Sequence, residues 1–225
     1  MNFKQNWYKV VAVLLVFHAI ISGMLMEVPR MPILNETIRN LYYHVTIWFS
    51  MMLLLSMGLY HSIKVLRSGN PIADIKAVSA IHVAYAFGLI GIFTGMIWAK
   101  FTWGAYWISD AKLNGAAATL LVYAAYFILR NSIDDEQKKA RISAIYSIFA
   151  YVMMLVFIMI LPRMTDSLHP GNGGNPGFST YDLDHRMRGI FYPAIIGWFM
   201  LSLWIFELRS RYQILNKHLE EDNLI

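Results

Sequence analysis

A chain of 225 residues that is 57% hydrophobic and only 15% charged has too little polar side chain to coat a soluble globule, a disordered arm or a coiled-coil rod. Its net charge of +5 is scattered as Lys and Arg between apolar runs, the distribution of a membrane protein rather than of a nucleic-acid binder. The absence of Cys excludes disulfides, thiolate nucleophiles, iron–sulfur clusters and the covalent attachment of a c-type haem.

A helix needs about 20 apolar residues to cross a bilayer core. Six stretches reach or approach that length: roughly Trp7 to Met26, Leu41 to Leu66, Ile75 to Trp98, Leu113 to Leu129, Ile142 to Leu161 and Gly189 to Leu208. The expected fold is all-α, an integral membrane bundle of six helices forming one domain over residues 1–225. The first span follows Lys4 and Lys9, is long and lacks a small-x-small cleavage site, and so reads as an uncleaved anchor. Gly88, Gly91 and Gly95 in the third span, and Gly115 with Ala116 to Ala118 in the fourth, are small enough for neighbouring helices to approach closely. With the N-terminus inside, 12 of the 19 Lys and Arg fall on the inner side, including Lys138, Lys139 and Arg141, so both termini are expected to be cytoplasmic.

Three outer segments then carry residue types that a bundle does not need for stability. The first holds Arg39 and runs into Tyr42, Tyr43 and His44. The second, residues 98–112, packs Trp98, Phe101, Trp103, Tyr106 and Trp107 together and continues into Asp110 and Lys112. If that segment is helical, Trp103, Trp107 and Asp110 share one face and form an aromatic shelf for a flat apolar ligand; the other reading is an aromatic belt at the membrane surface. The third runs from Pro162 to Arg188, and its Gly-rich centre at 171–177 resists regular structure, which makes the adjacent His169 a movable side chain.

The order of these residues carries a resemblance. WGAYWISDAK at 103–112 is similar to the tryptophan-rich WGxxWxWD signature of haem-handling membrane proteins, and GMIWAK before it extends the similarity. RNLYYHV at 39–45 and SLHP at 167–170 resemble the segments around the two haem-ligand His of the cytochrome c maturation protein C family, also called haem exporter protein C. Tyr106 and Ser109 stand where that family usually has Trp, and Lys112 replaces an Arg, keeping the charge but losing the fork.

What the resemblance implies is specific. His44 and His169 would be the axial ligands of a haem b held non-covalently as cargo at the outer, periplasmic face, a ligand pair that needs no Cys. Trp103, Tyr106 and Trp107, together with Trp98, would form the platform, and Arg39 and Lys112 would meet the propionates. Asp110 would orient Lys112, cap the fourth helix or touch the ligand. The implied protein binds and transfers haem rather than acting as an enzyme. It sits in a bacterial inner membrane and presents haem to a periplasmic chaperone like cytochrome c maturation protein E. Its other partners would be ATP-binding-cassette transporter subunits, a small membrane adaptor and lipid. The chain carries no GxxxxGK[ST] phosphate loop of its own.

Ionisable side chains inside spans are functional suspects as well. His61 and His82 lie at similar depth and are expected to be able to face each other, which supports an alternative, a transmembrane cytochrome b subunit with haem between them. Membership of the related, larger cytochrome c synthetases is a further alternative. His18 is expected to hydrogen-bond a neighbouring helix, and His185 and His218 read as polar surface.

Overall fold

The computed structural model describes residues 3–31, 33–169, 178 and 183–222. Among the described residues all regular structure is helical: α1 (Phe3–Leu25), a 3-10 helix (Asn35–Tyr42), α2 (His44–Ser68), α3 (Pro71–Trp103), α4 (Ala111–Asn131), α5 (Glu136–Met154), a π-helical stretch (Leu155–Ile160), α6 (Leu161–Met164) and α7 (His185–Asp222). Six helical stretches are long and apolar enough to cross a membrane, with α5, the π-helical stretch and α6 continuous as one of them. They coincide with the six expected spans.

Helix ends follow local chemistry. Asn70 accepts the amides of Ile72 and Ala73 ahead of Pro71 at the first position of α3, and Asp135 accepts the amide of Lys138 to cap α5. Gly69, at φ +61°, closes α2 in a conformation that costs a residue without Cβ nothing.

α2 is the central helix, packed on α3, α5 and α7, while α1 lies mainly along α7. Met51, Leu54, Ile81, Tyr126 and Met154 are all but inaccessible in the main core. Side chains such as Leu14, Phe17, Leu121 and Phe149 face outward, where a bilayer would replace water. A second core lies at the end of the bundle that carries the outer segments. In the 3-10 helix, side chains three apart eclipse, so Ile38 and Leu41 share one face and, with Tyr42, pack under Met187 and Phe191 of α7. This packing fixes the entry into α2, and with it His44.

At the same end α4 meets the π-helical stretch almost backbone to backbone. A Cβ on Gly115 would lie 2.2 Å from the carbonyl oxygen of Phe157. Pro162 can donate no amide to the turn before it, and the hydrogen-bond ladder slips to the wider π register just ahead of it. The chain leaving α6 is thereby brought back over the start of α4, towards His169.

Candidate haem-binding site

His44 is the first residue of α2, and its ring lies against α3 because α3 presents glycine to it. Gly88, Gly91 and Gly95 recur at helical spacing and face Met51, Trp48 and His44. A Cβ on Gly95 would come within 2.7 Å of His44 Cε1. The edges of Trp48 and Trp98 flank the imidazole, with ring centroids at 6.3 and 5.7 Å. Trp98 is itself pinned, donating its indole N–H to Thr37 of the 3-10 helix at 3.1 Å.

The protonation of His44 follows from its neighbour. Thr94 sends its one hydroxyl proton back to the carbonyls of Ile90 and Gly91, at 3.0 and 2.9 Å, so its oxygen accepts from His44 Nδ1 at 3.1 Å. In that tautomer Nε2 carries the lone pair, the form that binds a metal. Nothing in the sequence marks Thr94 except that it is a hydroxyl in an apolar helix four residues before Trp98.

Asp110 organises the other half. Its carboxylate is 3% exposed. One oxygen accepts the Lys112 amide at 2.8 Å, capping α4, and lies 2.9 Å from His169 Nδ1, off the axis of a linear hydrogen bond. The other accepts the Ser167 hydroxyl at 2.9 Å and the Leu168 amide at 2.8 Å. Burial pushes this carboxyl up, but the contact with His169 and the two backbone amides outweigh it and hold it well below the usual carboxylate range. A carboxylate behind a His, with the far nitrogen free, is how proteins aim metal-binding imidazoles. His169 is therefore tethered rather than movable through residues 167–169; the Gly-rich centre at 171–177 lies outside the described residues. The Trp103 ring meets His169 edge-on at 5.0 Å, and both His169 and Lys112 are within electrostatic reach of His44.

The aromatic segment is not one helical face. α3 stops at Trp103 because Gly104 turns to φ +86°, with its amide returned to Lys100 and its carbonyl taken by the Lys100 ammonium at 2.9 Å. Residues 104–110 are irregular, so Trp107 and Asp110 do not continue the face of Trp103. The helix brings Trp98 to His44 and Trp103 to His169. Tyr106, under the Lys100 ammonium at 5.6 Å, and Trp107 stay 56% and 42% exposed at the rim. Open aromatic area in the segment that brings Trp98 to His44 and Trp103 to His169 suits a flat apolar ligand.

Arg39 is placed differently. It donates to the carbonyls of Gly23 and Met26 at the end of α1 and pairs with Glu36 at 2.7 Å, so it ties α1 to the 3-10 helix. His61 stacks on Phe206 of α7 and the His82 ring lies tilted against Phe127 of α4, with no ring contact between the two His among the described residues. His18 bonds the Gly189 carbonyl of α7 at 3.2 Å.

Thus His44, at the start of α2, and His169, in the bend after α6, each have a polar group beside Nδ1; comparison with known proteins gives the family. The family model described as Heme exporter protein C matches residues 2–225. The chain belongs to the heme exporter protein C family. Among its relatives, the Heme exporter protein C of Escherichia coli K12 is 27% identical over 190 residues, 80% of this chain and 72% of that protein. The Heme exporter protein C of Bradyrhizobium diazoefficiens is 30% identical over 115 residues, 51% of this chain and less than half, 43%, of that protein. Cytochrome c biogenesis protein CcsA of Synechococcus sp. CC9902 is 29% identical over 94 residues, 42% of this chain and 31% of that protein. The chain is an integral membrane protein; its described residues form an all-helical fold with six helices long and apolar enough to span a membrane.

Proposed function

We propose that this protein holds haem b between His44 and His169 at the outer face of a bacterial inner membrane and passes it on in cytochrome c maturation. The observation that carries this reading is the placement of the two rings: Thr94 lies at one Nδ1 and Asp110 faces the other, and no hydrogen bond to either Nε2 is present among the described residues. The residues fit haem because the porphyrin would supply four of the iron's bonds, leaving two for imidazole. Trp98, Trp103, Tyr106 and Trp107 serve as the apolar wall. Lys112, within electrostatic reach of His44, is one cation assigned to the propionates. Arg39 is the other, and it also donates to two carbonyls.

The protein's part is binding and presentation rather than catalysis. His44 sits on a rigid helix, whereas His169 depends on a short segment held by one carboxylate. Release of Ser167 and Leu168 from Asp110 withdraws one axial ligand while the bundle stays folded. A haem held by His44 alone at an open aromatic rim is accessible to a periplasmic chaperone. The transporter subunits and small adaptor implied by the family resemblance would complete the complex, with both termini in the cytoplasm.

The test is an optical spectrum of detergent-purified protein. A b-type signal in the wild type that is lost in both His44→Ala and His169→Ala, and kept in His61→Ala and His82→Ala, is the expected result. A signal that survives both outer substitutions refutes the assignment and moves haem into the membrane.

A further inference from the structure

The chain that carries His169 is fastened to α4 at two places. One is Asp110, at the start of α4, which accepts the Ser167 hydroxyl and the Leu168 amide. The other is Gly115, about 7.5 Å further along the helix axis, a buried residue that faces the backbone of Phe157 in the π-helical stretch. A Cβ there would stand 2.2 Å from the Phe157 carbonyl oxygen and 3.0 Å from its carbon, so main chain, not a yielding side chain, fills the space.

The ladder explains why that carbonyl meets α4. Leu161 donates its amide to Val156, five residues back, and the same register assigns the Phe157 carbonyl to Pro162, which has no N–H. The carbonyl lies instead against α4, where a residue without Cβ lets the oxygen approach its Cα. A π turn also takes up one residue more than an α turn. If the stretch reverted to α, the residues from Leu161 onward would swing by about 100° and shift by about 1.5 Å relative to α5, which takes Ser167 and Leu168 off Asp110.

We propose that Gly115 is a positioning residue for His169: it holds the π-helical stretch against α4 so that residues 167–169 meet Asp110. The consequence for haem rests on the reading of His169 as an axial ligand; the hold on residues 167–169 does not. A methyl at position 115 must move out to a close C···O contact of about 3.3 Å. Gly115→Ala therefore parts α4 from the stretch by about 1 Å or drives the stretch into the α register. Either change draws residues 167–169 away from Asp110.

The chain has no Cys, so Leu168→Cys, at a side chain 62% exposed, takes a single nitroxide label in detergent-purified full-length apo protein. Gly115→Ala should free that label and narrow its spectrum, whereas Gly189→Ala, whose Cβ would enter open space, should leave it broad. Haem titration of the unlabelled chain should show binding weakened about tenfold in Gly115→Ala, with the spectrum of a haem that has lost one axial ligand. Excess imidazole, a free second ligand, should restore the two-imidazole spectrum. A label that stays broad in Gly115→Ala overturns the proposal. So does a freed label with haem affinity within about twofold of wild type, or weakened binding that imidazole does not repair. A freed label in a chain whose wild type takes up no haem supports the positioning and refutes the haem reading. If Gly115→Ala does not fold, Pro162→Ala decides: it returns an amide to Phe157, adds no bulk to α4 and should free the label too, and an unchanged label there overturns the proposal.

Discussion

Replacing Asp110 by Asn separates the aiming of His169 from mere shape. The carboxylate receives Lys112 N and Leu168 N, both at 2.8 Å, and the Ser167 hydroxyl at 2.9 Å, and it faces His169 Nδ1 at 2.9 Å. Asparagine has the same outline, but one of its two heteroatoms is an NH2 that donates. Whichever way the amide is turned, that NH2 confronts an N–H: Lys112 at the start of α4, or Leu168 beside the His. The capping bond is local and the amide turns to keep it, which leaves an oxygen toward His169 Nδ1; the NH2 then faces the Leu168 amide, and the bond that positions the backbone beside His169 is the one lost. A hydrogen bond to a charged acceptor contributes about 1.5–3 kcal/mol. At about 1.4 kcal/mol per decade this is a 10- to 100-fold loss of haem affinity, the range usual when the partner of a metal-binding His is removed. The assay is haem titration of the apo protein followed in the Soret band, with thermal unfolding measured in parallel. Asp135→Ala is the control: it removes a similar cap, on α5, with Lys138 N at 2.7 Å, far from the site. It should cost about 1 kcal/mol of stability and leave haem affinity unchanged. An Asp110→Asn protein that binds haem within about twofold of wild type, with the bis-His spectrum intact, would refute the role given to this carboxylate.

Three further outcomes are expected. Gly95→Ala places a methyl 2.7 Å from His44 Cε1; the ring must shift, at an overpacking cost of about 1–3 kcal/mol, and haem titration should show weakened binding while circular dichroism reports an intact bundle. Trp107→Ala removes a ring that is 42% exposed, so the unfolding midpoint should barely move, within about 0.5 kcal/mol, while haem dissociation speeds up; an unchanged rate would reduce Trp107 to a membrane-surface anchor. Asp184 accepts the Met187 amide at 2.8 Å at the start of α7. Burial raises its pKa, but that amide and Arg186 outweigh burial and lower it. A lowered carboxyl stabilises the fold above its ordinary value of about 4 and loses that contribution as pH falls through the lower folded value. Asp184→Ala should therefore cost about 1 kcal/mol near neutrality, and the difference from wild type should vanish in strong acid.

Much of the architecture is legible in the chain because membrane spans are coded locally. A run of apolar residues long enough for the bilayer identifies a helix whatever its neighbours, and all six expected spans are present. Asn70 before Pro71, and Asp110 and Asp135 before their helices, mark starts by chemistry that acts within three residues. The proposed pairing of His44 with His169 is legible in the chain only through resemblance, since periodicity cannot relate side chains more than a hundred positions apart.

Tertiary structure decided the rest. Gly104 is one glycine among 14, and only its left-handed conformation shows that the aromatic segment breaks there rather than presenting Trp103, Trp107 and Asp110 on one face. Arg39 reads as a free cation until the end of α1 is placed beside it with its carbonyls unsatisfied. Asp110 reads as a cap, and it is one. A cap uses part of a carboxylate's accepting capacity, and the chain alone does not say that the remainder is filled from residues 167–169. Hydropathy and caps are properties of a segment; which donor meets the spare lone pairs of a buried carboxylate depends on how segments distant in sequence pack.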